Sequence, residues 1–270
     1  MRTPSYLITA VVAVLWFGLP VWAQTATPAA PNWLKHGSFI TAGDLPPEFQ
    51  ASLQATGGRL MSATLATVSL SGTLTDADGT RTVQITIEAP GYLRFQDAGT
   101  SPRVLTFDGT QFQSQNGKGG MDDERIEESL MADLPDSIYL QLATGGGARR
   151  IGSRFRTDNG TTPNYTGPYW SLYAYSPAAR QGLTWGQALQ QSFFIALDEQ
   201  TGFVSEVRMV NQSAGSQNVT QTKFLNWFQQ SGQWYPGQIV RVENGQQTLS
   251  FQTQQAATGA QLSSNSIFEP

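Results

Sequence analysis

The stretch Arg81–Gly117, RTVQITIEAPGYLRFQDAGTSPRVLTFDGTQFQSQNG, decides the fold. Val83, Ile85 and Ile87 alternate with polar partners, the period-2 pattern of a strand with one apolar face. Ala89-Pro90-Gly91 breaks that run, and Tyr92–Phe95 opens the next. Arg103–Phe107 makes a third, Asp108-Gly109 a tight turn, and Gln111–Gln115 a return. An up-and-down antiparallel sheet is the simplest arrangement of these pieces.

Working outward, Ser62–Leu74 reads as a long strand with Ala66, Val68, Leu70 and Leu74 on one face. Asp76-Ala-Asp78-Gly79 then turns the chain back. That tetrad has the first carboxylates of a calcium loop but neither the later ligands nor the terminal glutamate, so it is a hairpin turn. Upstream, a helix begins near Asp44, with Pro46 and Pro47 in its first turn, Phe49 and Leu53 on one face, and Gly57-Gly58 as its stop.

After Gly120 the pattern changes. Met121–Asp133 is acidic and helical, its charge gathered toward the N-terminus where the dipole favours it. Asp133 is placed to cap a second helix carrying Ile138, Tyr139 and Leu142, which ends at Gly145-Gly146-Gly147. Strands resume near 150–156, 169–175, 193–198, 203–210, 221–228, 234–243 and 248–254. About ten strands joined mostly by short turns fit an open or closed barrel-like sheet, interrupted by two short helices.

Residues 1–23 have the form of a signal peptide: Arg2, an apolar run over Tyr6–Leu19, and Val21-Trp22-Ala23 before Gln24. The run is short for a membrane span of about 20 residues. Residues 24–43 form a Pro/Ala/Thr-rich tether, and 44–270 a single domain. The chain has no cysteine, so an exported form has no disulfide and no acylated leader cysteine. It is expected to be soluble and periplasmic, with no transmembrane segment after cleavage. A net charge of −4 with 13% charged residues offers no basic stripe for nucleic acid.

Little in the chain suggests chemistry. The single histidine, His36, has no nucleophile pattern beside it, and no set of residues has zinc-ligand spacing. The acids of 122–128 belong to the solvated side of an amphipathic helix rather than to a glycosidase pair. Gly145–Arg150 is a connection, not a phosphate cradle. No catalytic residue, metal or cofactor is assigned. What remains is apolar and aromatic: Trp170, Trp185, Trp227 and Trp234 among the later strands, with Phe193, Phe194, Phe203, Phe224 and Phe228. A half-closed sheet has a concave apolar face that is filled by side chains, covered by helices or loaded with a ligand.

Several of these segments also resemble a known family. Val83-x-Ile85-x-Ile87-x-x-Pro90-x-x-Leu93-Arg94-Phe95, then Val104-Leu-Thr-Phe-Asp108-Gly109, then a helical pair, resembles the periplasmic lipoprotein carriers of the LolA type and their LolB and RseB-like relatives. Gly232-Gln-Trp234-Tyr235-Pro236 and Ser266-Ile-Phe268-x-Pro270 look like the family's closing part, so the resemblance spans roughly 48–270. It implies a mainly β fold with helices: an incomplete antiparallel β-barrel, a strongly curved sheet with a helical lid, Met121–Leu142, on its concave face. It implies no chemistry, and a cavity that takes lipid or the acyl chains of a lipoprotein. Val68, Leu70, Val83, Ile85, Ile87, Leu93, Phe95, Ile126, Leu130, Ile138, Leu142, Phe193, Ile195 and Trp227 are the expected lining. The carriers have an arginine before the strand-ending proline that tethers the lid. Here that position is Ala89, and Arg94 is the substitute expected to touch the lid. The alternative is an interaction module of the cell envelope with a filled core and a protein partner.

Overall fold

Fourteen strands and three helices are present among the described residues, and their order is the one an antiparallel meander requires. The structure is a computed structural model that describes residues 40–41, 43–62, 65–89, 91–98, 102–107, 112–115, 121–144, 147–155, 169–176, 191–213 and 216–259; the side chains of 121–126, 154, 155, 169, 176, 191 and 213 are not among those described. The leader, most of the tether, His36, Pro90, Trp185 and residues 159–167, 183–190 and 263–270 lie outside the described residues. All described residues belong to one compact unit, Asn32–Pro270.

Helix α1 is Pro47–Ala55. Strands β1 (Thr67–Asp76), β2 (Gly79–Glu88), β3 (Tyr92–Asp97), β4 (Val104–Phe107) and β5 (Phe112–Gln115) follow as a meander. Helices α2 (Met121–Asp133) and α3 (Pro135–Ala143) come next. A second meander runs through β6 (Gly147–Phe155), β7 (Tyr169–Ser176), β8 (Gln191–Asp198), β9 (Val204–Ser213) and β10 (Ser216–Leu225). The described residues end with a small hairpin of β11 (Phe228–Gln230) and β12 (Gln233–Tyr235), then β13 (Gln238–Glu243) and β14 (Gln246–Gly259).

Twelve strands form one sheet in the order β5-β4-β3-β2-β1-β14-β13-β10-β9-β8-β7-β6. All its pairs are antiparallel; β1 against β14 joins the two meanders, with Leu70 opposite Ala256 and Leu74 opposite Phe251. The sheet stays open, with β5 and β6 as its edges, as expected for an incomplete barrel. This explains the interrupting helices. The chain leaves the sheet at one edge and re-enters at the other, and α2 and α3 are the segment that spans between them.

The hairpin at Asp76–Gly79 forms as read, with the Asp78 amide donating to the Asp76 carboxylate. Three local expectations need correction. Asp44 does not cap α1: its carboxylate accepts from the Thr41 amide at 2.7 Å and the Thr41 hydroxyl at 2.6 Å, and Pro46 stands at the cap. Asp133 does not cap α3, where Leu134 holds the cap position without a side-chain bond. The strand read over 234–243 is two strands, β12 and β13, separated by Pro236 and Gly237. Proline has no amide to give a ladder, and a Cβ on residue 237 would fall 2.3 Å from the Asn226 carbonyl oxygen. The folded domain also begins earlier than Asp44. Ile40 is buried in the core and its amide donates to the Leu60 carbonyl at 2.7 Å.

Candidate functional site

Strand alternation sorts the sheet into two faces. Tyr173, Ile195, Val207 and Thr222 stand opposite one another across β7, β8, β9 and β10. The first three lie in the hydrophobic core, and Thr222 bonds to α2, so this row faces the helices. The inner face continues with Val68, Leu70 and Leu74 of β1, Val83, Ile85 and Ile87 of β2, and Leu93 and Phe95 of β3. Burying each such side chain contributes about 1.5–3 kcal/mol.

Twelve of the fourteen expected lining residues fall in this one core: Val68, Leu70, Val83, Ile85, Ile87, Leu93, Phe95, Leu130, Ile138, Leu142, Phe193 and Ile195, none more than 9% exposed. In this conformation they pack side by side and against Tyr139, Met131 and Leu134 of the helical segment. Trp227 is only partly buried, and its ring lies at the rim of the sheet, 4.7 Å from the ring of Phe203. The side chain of Ile126 lies outside the described residues.

Polar contacts hold the helices over this apolar wall. At the start of the seam, Glu127 of α2 lies between Arg81 of β2, at 2.9 Å, and Arg103, at 2.6 Å. Two residues on, Ser129 accepts from Arg241 of β13 at 2.7 Å. Asp133 accepts from the Thr222 hydroxyl of β10 at 2.8 Å. In α3, Asp136 pairs with Arg59 at 2.6 and 3.0 Å. The Tyr139 hydroxyl lies 2.8 Å from the Ser52 hydroxyl of α1, and Gln141 accepts from the Tyr175 hydroxyl of β7 at 2.8 Å. Arg59 also donates to the carbonyls of Thr56 and Trp234 and lies over the Tyr235 ring at 4.8 Å. The seam thus ties α2–α3 to both meanders and to α1.

Burial shifts the groups in this seam. It works against the charged form of Arg59, but Asp136 outweighs it and the guanidinium is held above its ordinary range. Burial pushes the Tyr139 hydroxyl up. It pushes the Glu127 carboxyl up to about 7, although Arg103 and Arg81 pull the other way.

Two sequence expectations change here. Arg94, expected at the lid, has its strand position on the face of β3 away from the apolar wall, and it donates to Gln96 at 3.3 Å. It stands opposite Thr86 and Thr106, and alternates with the inward Leu93 and Phe95, so it projects from the other face. The arginines that hold the helices are Arg59, Arg81, Arg103 and Arg241. Nor is the acidic run of α2 wholly solvated, because Glu127 is buried. The clue was in the spacing: Glu127 lies three and four residues before Leu130 and Met131, on their side of the helix. No such clue marks Arg59 or Asp136, whose partnership spans 77 positions.

Two cavities, of about 520 and 360 Å3, open elsewhere. Their linings share Glu206 and Arg208 of β9, and neither includes a residue of α2 or α3. Among the described residues no group of three or more His, Cys, Asp or Glu is placed to hold a metal ion, and no helix is long and apolar enough to cross a membrane.

No protein-family model matches the chain, and no curated protein matches its sequence. Solved structures similar to it include a LolA superfamily protein from Nitrosomonas europaea, 8% identical, with a TM-score of 0.49 over 82% of this chain and 97% of that one. A DUF1329 family protein from Desulfovibrio piger is 9% identical, with a TM-score of 0.48 over 82% of this chain and 98% of that one. A third, described as a putative outer membrane lipoprotein-sorting protein domain from Vibrio parahaemolyticus, is 10% identical, with a TM-score of 0.45 over 81% of this chain and 97% of that one. The first of these is named for the family that the strand and terminal motifs resemble.

Proposed function

We propose that the chain is an exported carrier or sensor that binds lipid or lipoprotein acyl chains against the inner face of its sheet, with α2–α3 as the lid that gives way. The observation that carries this reading is a polar seam over an apolar wall. A buried ion pair adds little net stability compared with an apolar replacement of the same shape. It does fix where a helix docks, and its partners regain water when the helix lifts. The Leu, Ile and Phe side chains beneath gain nothing from water, so they need a replacement partner. An acyl chain supplies one: at about 0.8 kcal/mol per methylene, a chain of ~14 returns at most roughly 11 kcal/mol. That offsets a large part of the apolar contacts of two short helices. No covalent step is part of this reading, and its setting is the periplasm.

Native mass spectrometry of protein purified from its own compartment tests it, together with uptake of a fluorescent fatty acid. Lipid adducts and saturable uptake are expected. Protein free of lipid that takes up no probe would sink the reading.

A second reading is favoured by one observation: the inner wall is packed in this conformation. In that case the same fold is a docking module for another envelope protein. A partner recovered by cross-linking in envelope extracts, on protein that carries no lipid, would establish it over the first.

A further inference from the structure

The outer face of the sheet carries a feature that acyl binding does not use. Leu172, Ala196, Glu206 and Lys223 form the cross-strand row that alternates with the inward Tyr173, Ile195, Val207 and Thr222. The two outer cavities lie side by side along β8–β10, with Glu206 and Arg208 in both linings. The larger, at one end of this pair, is about 520 Å3, within the roughly 300–1,000 Å3 range of small-ligand sites.

That end is an aromatic corner. The Phe203 ring lies 4.7 Å from Trp227 at 38° and 5.6 Å from Trp234 at 48°, with Trp170 in the same lining. Turn chemistry brings these rings together. The Asp198 carboxylate accepts from the amides of Gln200 and Thr201 and from the Thr201 hydroxyl, which shapes the β8–β9 turn that presents Phe203. The β11–β12 hairpin turns through Ser231 and Gly232, both at positive φ, and the Trp234 amide donates to the Thr56 carbonyl. Trp227 and Trp234 are partly buried and both line this cavity, so part of their ring surface is open to it.

Beside the rings is a polar floor. Glu206 accepts from Arg208 at 2.8 and 3.0 Å and from Gln221 at 3.3 Å. Lys223 stands opposite Glu206 in register, yet its ammonium makes no ion pair or hydrogen bond among the described residues. The charged groups balance: Lys223 and Arg208 against Glu206 and Asp198.

These features narrow the ligand. An acyl chain would strand charged groups out of water without partners. A phosphate would meet the carboxylates of Glu206 and Asp198 as well as the cations. A neutral pyranose ring suits both halves of the cleft. Its hydroxyls donate to carboxylates and accept from Lys223, Arg208 and Gln221, while its C–H face covers an indole. We propose that this cleft binds a neutral oligosaccharide of pyranose units, stacked on Trp227 or Trp234 and hydrogen-bonded by the Glu206–Arg208–Gln221 group and Lys223. The site is on the face opposite the lid and stands whether or not the acyl-binding reading holds.

The test uses the full chain and three probes: maltotriose, cellotriose and tri-N-acetylchitotriose. Titration calorimetry and tryptophan fluorescence are run to about 10 mM, tenfold above the 1 mM scale of weak complexes. Saturable binding of at least one sugar is expected, weakened about tenfold by Trp227→Ala or Trp234→Ala, the loss of one stacked ring and its polar neighbours. If either alanine variant fails to fold, Trp227→Phe keeps a ring, and amide and indole NMR shifts of the parent protein locate the sugar directly. The proposal is overturned if none of the three binds, if binding is unmoved by the Trp variants, or if the indole signals respond to inorganic phosphate or a neutral peptide but to no sugar. Failure here leaves fatty-acid uptake untouched, so the two readings fail separately.

Discussion

Arg59 and Asp136 are 77 positions apart in sequence and form a two-pronged ion pair at 2.6 and 3.0 Å, with side chains 0% and 2% exposed. One partner precedes β1; the other opens α3. The pair therefore ties the helical segment to the start of the sheet at a place with almost no water.

Breaking that pair is expected to be costly. Asp136→Asn leaves the Arg59 charge buried beside a neutral amide, and a cost of about 3–5 kcal/mol follows. Replacing both, as Arg59→Met with Asp136→Leu, is expected to recover most of the loss. Urea unfolding of the single and double variants measures this. A single variant within about 1 kcal/mol of the parent would show that the pair does not anchor α3.

Glu127 makes stability depend on pH. An unfolded glutamate titrates near 4.3. Burial raises the folded carboxyl to about 7 against the pull of Arg103 and Arg81, and Asp97 adds to the rise. Because the folded value is the higher one, the group's contribution is fully present below the unfolded pKa. It is lost as pH climbs through about 7. Glu127→Gln mimics the protonated form and should match the parent near about pH 4 and exceed it near about pH 8, by up to roughly 3 kcal/mol. Denaturation midpoints across that range test the sign. A parent more stable than the variant at the alkaline end would mean that the two arginines outweigh burial.

Locking the seam should stop ligand entry. The chain has no cysteine, so Asp133→Cys with Thr222→Cys introduces the only thiols, at two side chains now in contact at 2.8 Å. The oxidised form is expected to take up no fluorescent fatty acid, and reduction to restore uptake. Cross-linked protein that binds the probe as well as the parent would place acyl binding elsewhere than under α2.

Most of the fold was legible because its cause is local. Period-2 alternation in 81–117, a two-residue turn before Gly79 and two helical runs after Gly120 specify a meander, a break and a second meander. Chain order alone then makes the helices span the two sheet edges. Close approach was not legible: a Cβ at Gly72 would fall 2.0 Å from the Gln252 carbonyl oxygen, a contact between the first and last strands.

The sequence by itself determined which side chains face inward on each strand, since alternation admits one apolar face, and so it marked Val83, Ile85, Ile87, Leu93 and Phe95 as a wall. Only the tertiary structure decided what closes over that wall. Arg59, Arg81, Arg103 and Arg241 acquire their roles from residues brought in by strand order rather than by spacing, and a lone arginine in a sequence carries no mark of its partner. For the same reason Trp227, read as part of the apolar lining, gathers instead with Trp234 around a polar cleft. Which face a rim residue joins depends on turns at Asp198–Phe203 and Ser231-Gly232, whose geometry is set by the contacts around them.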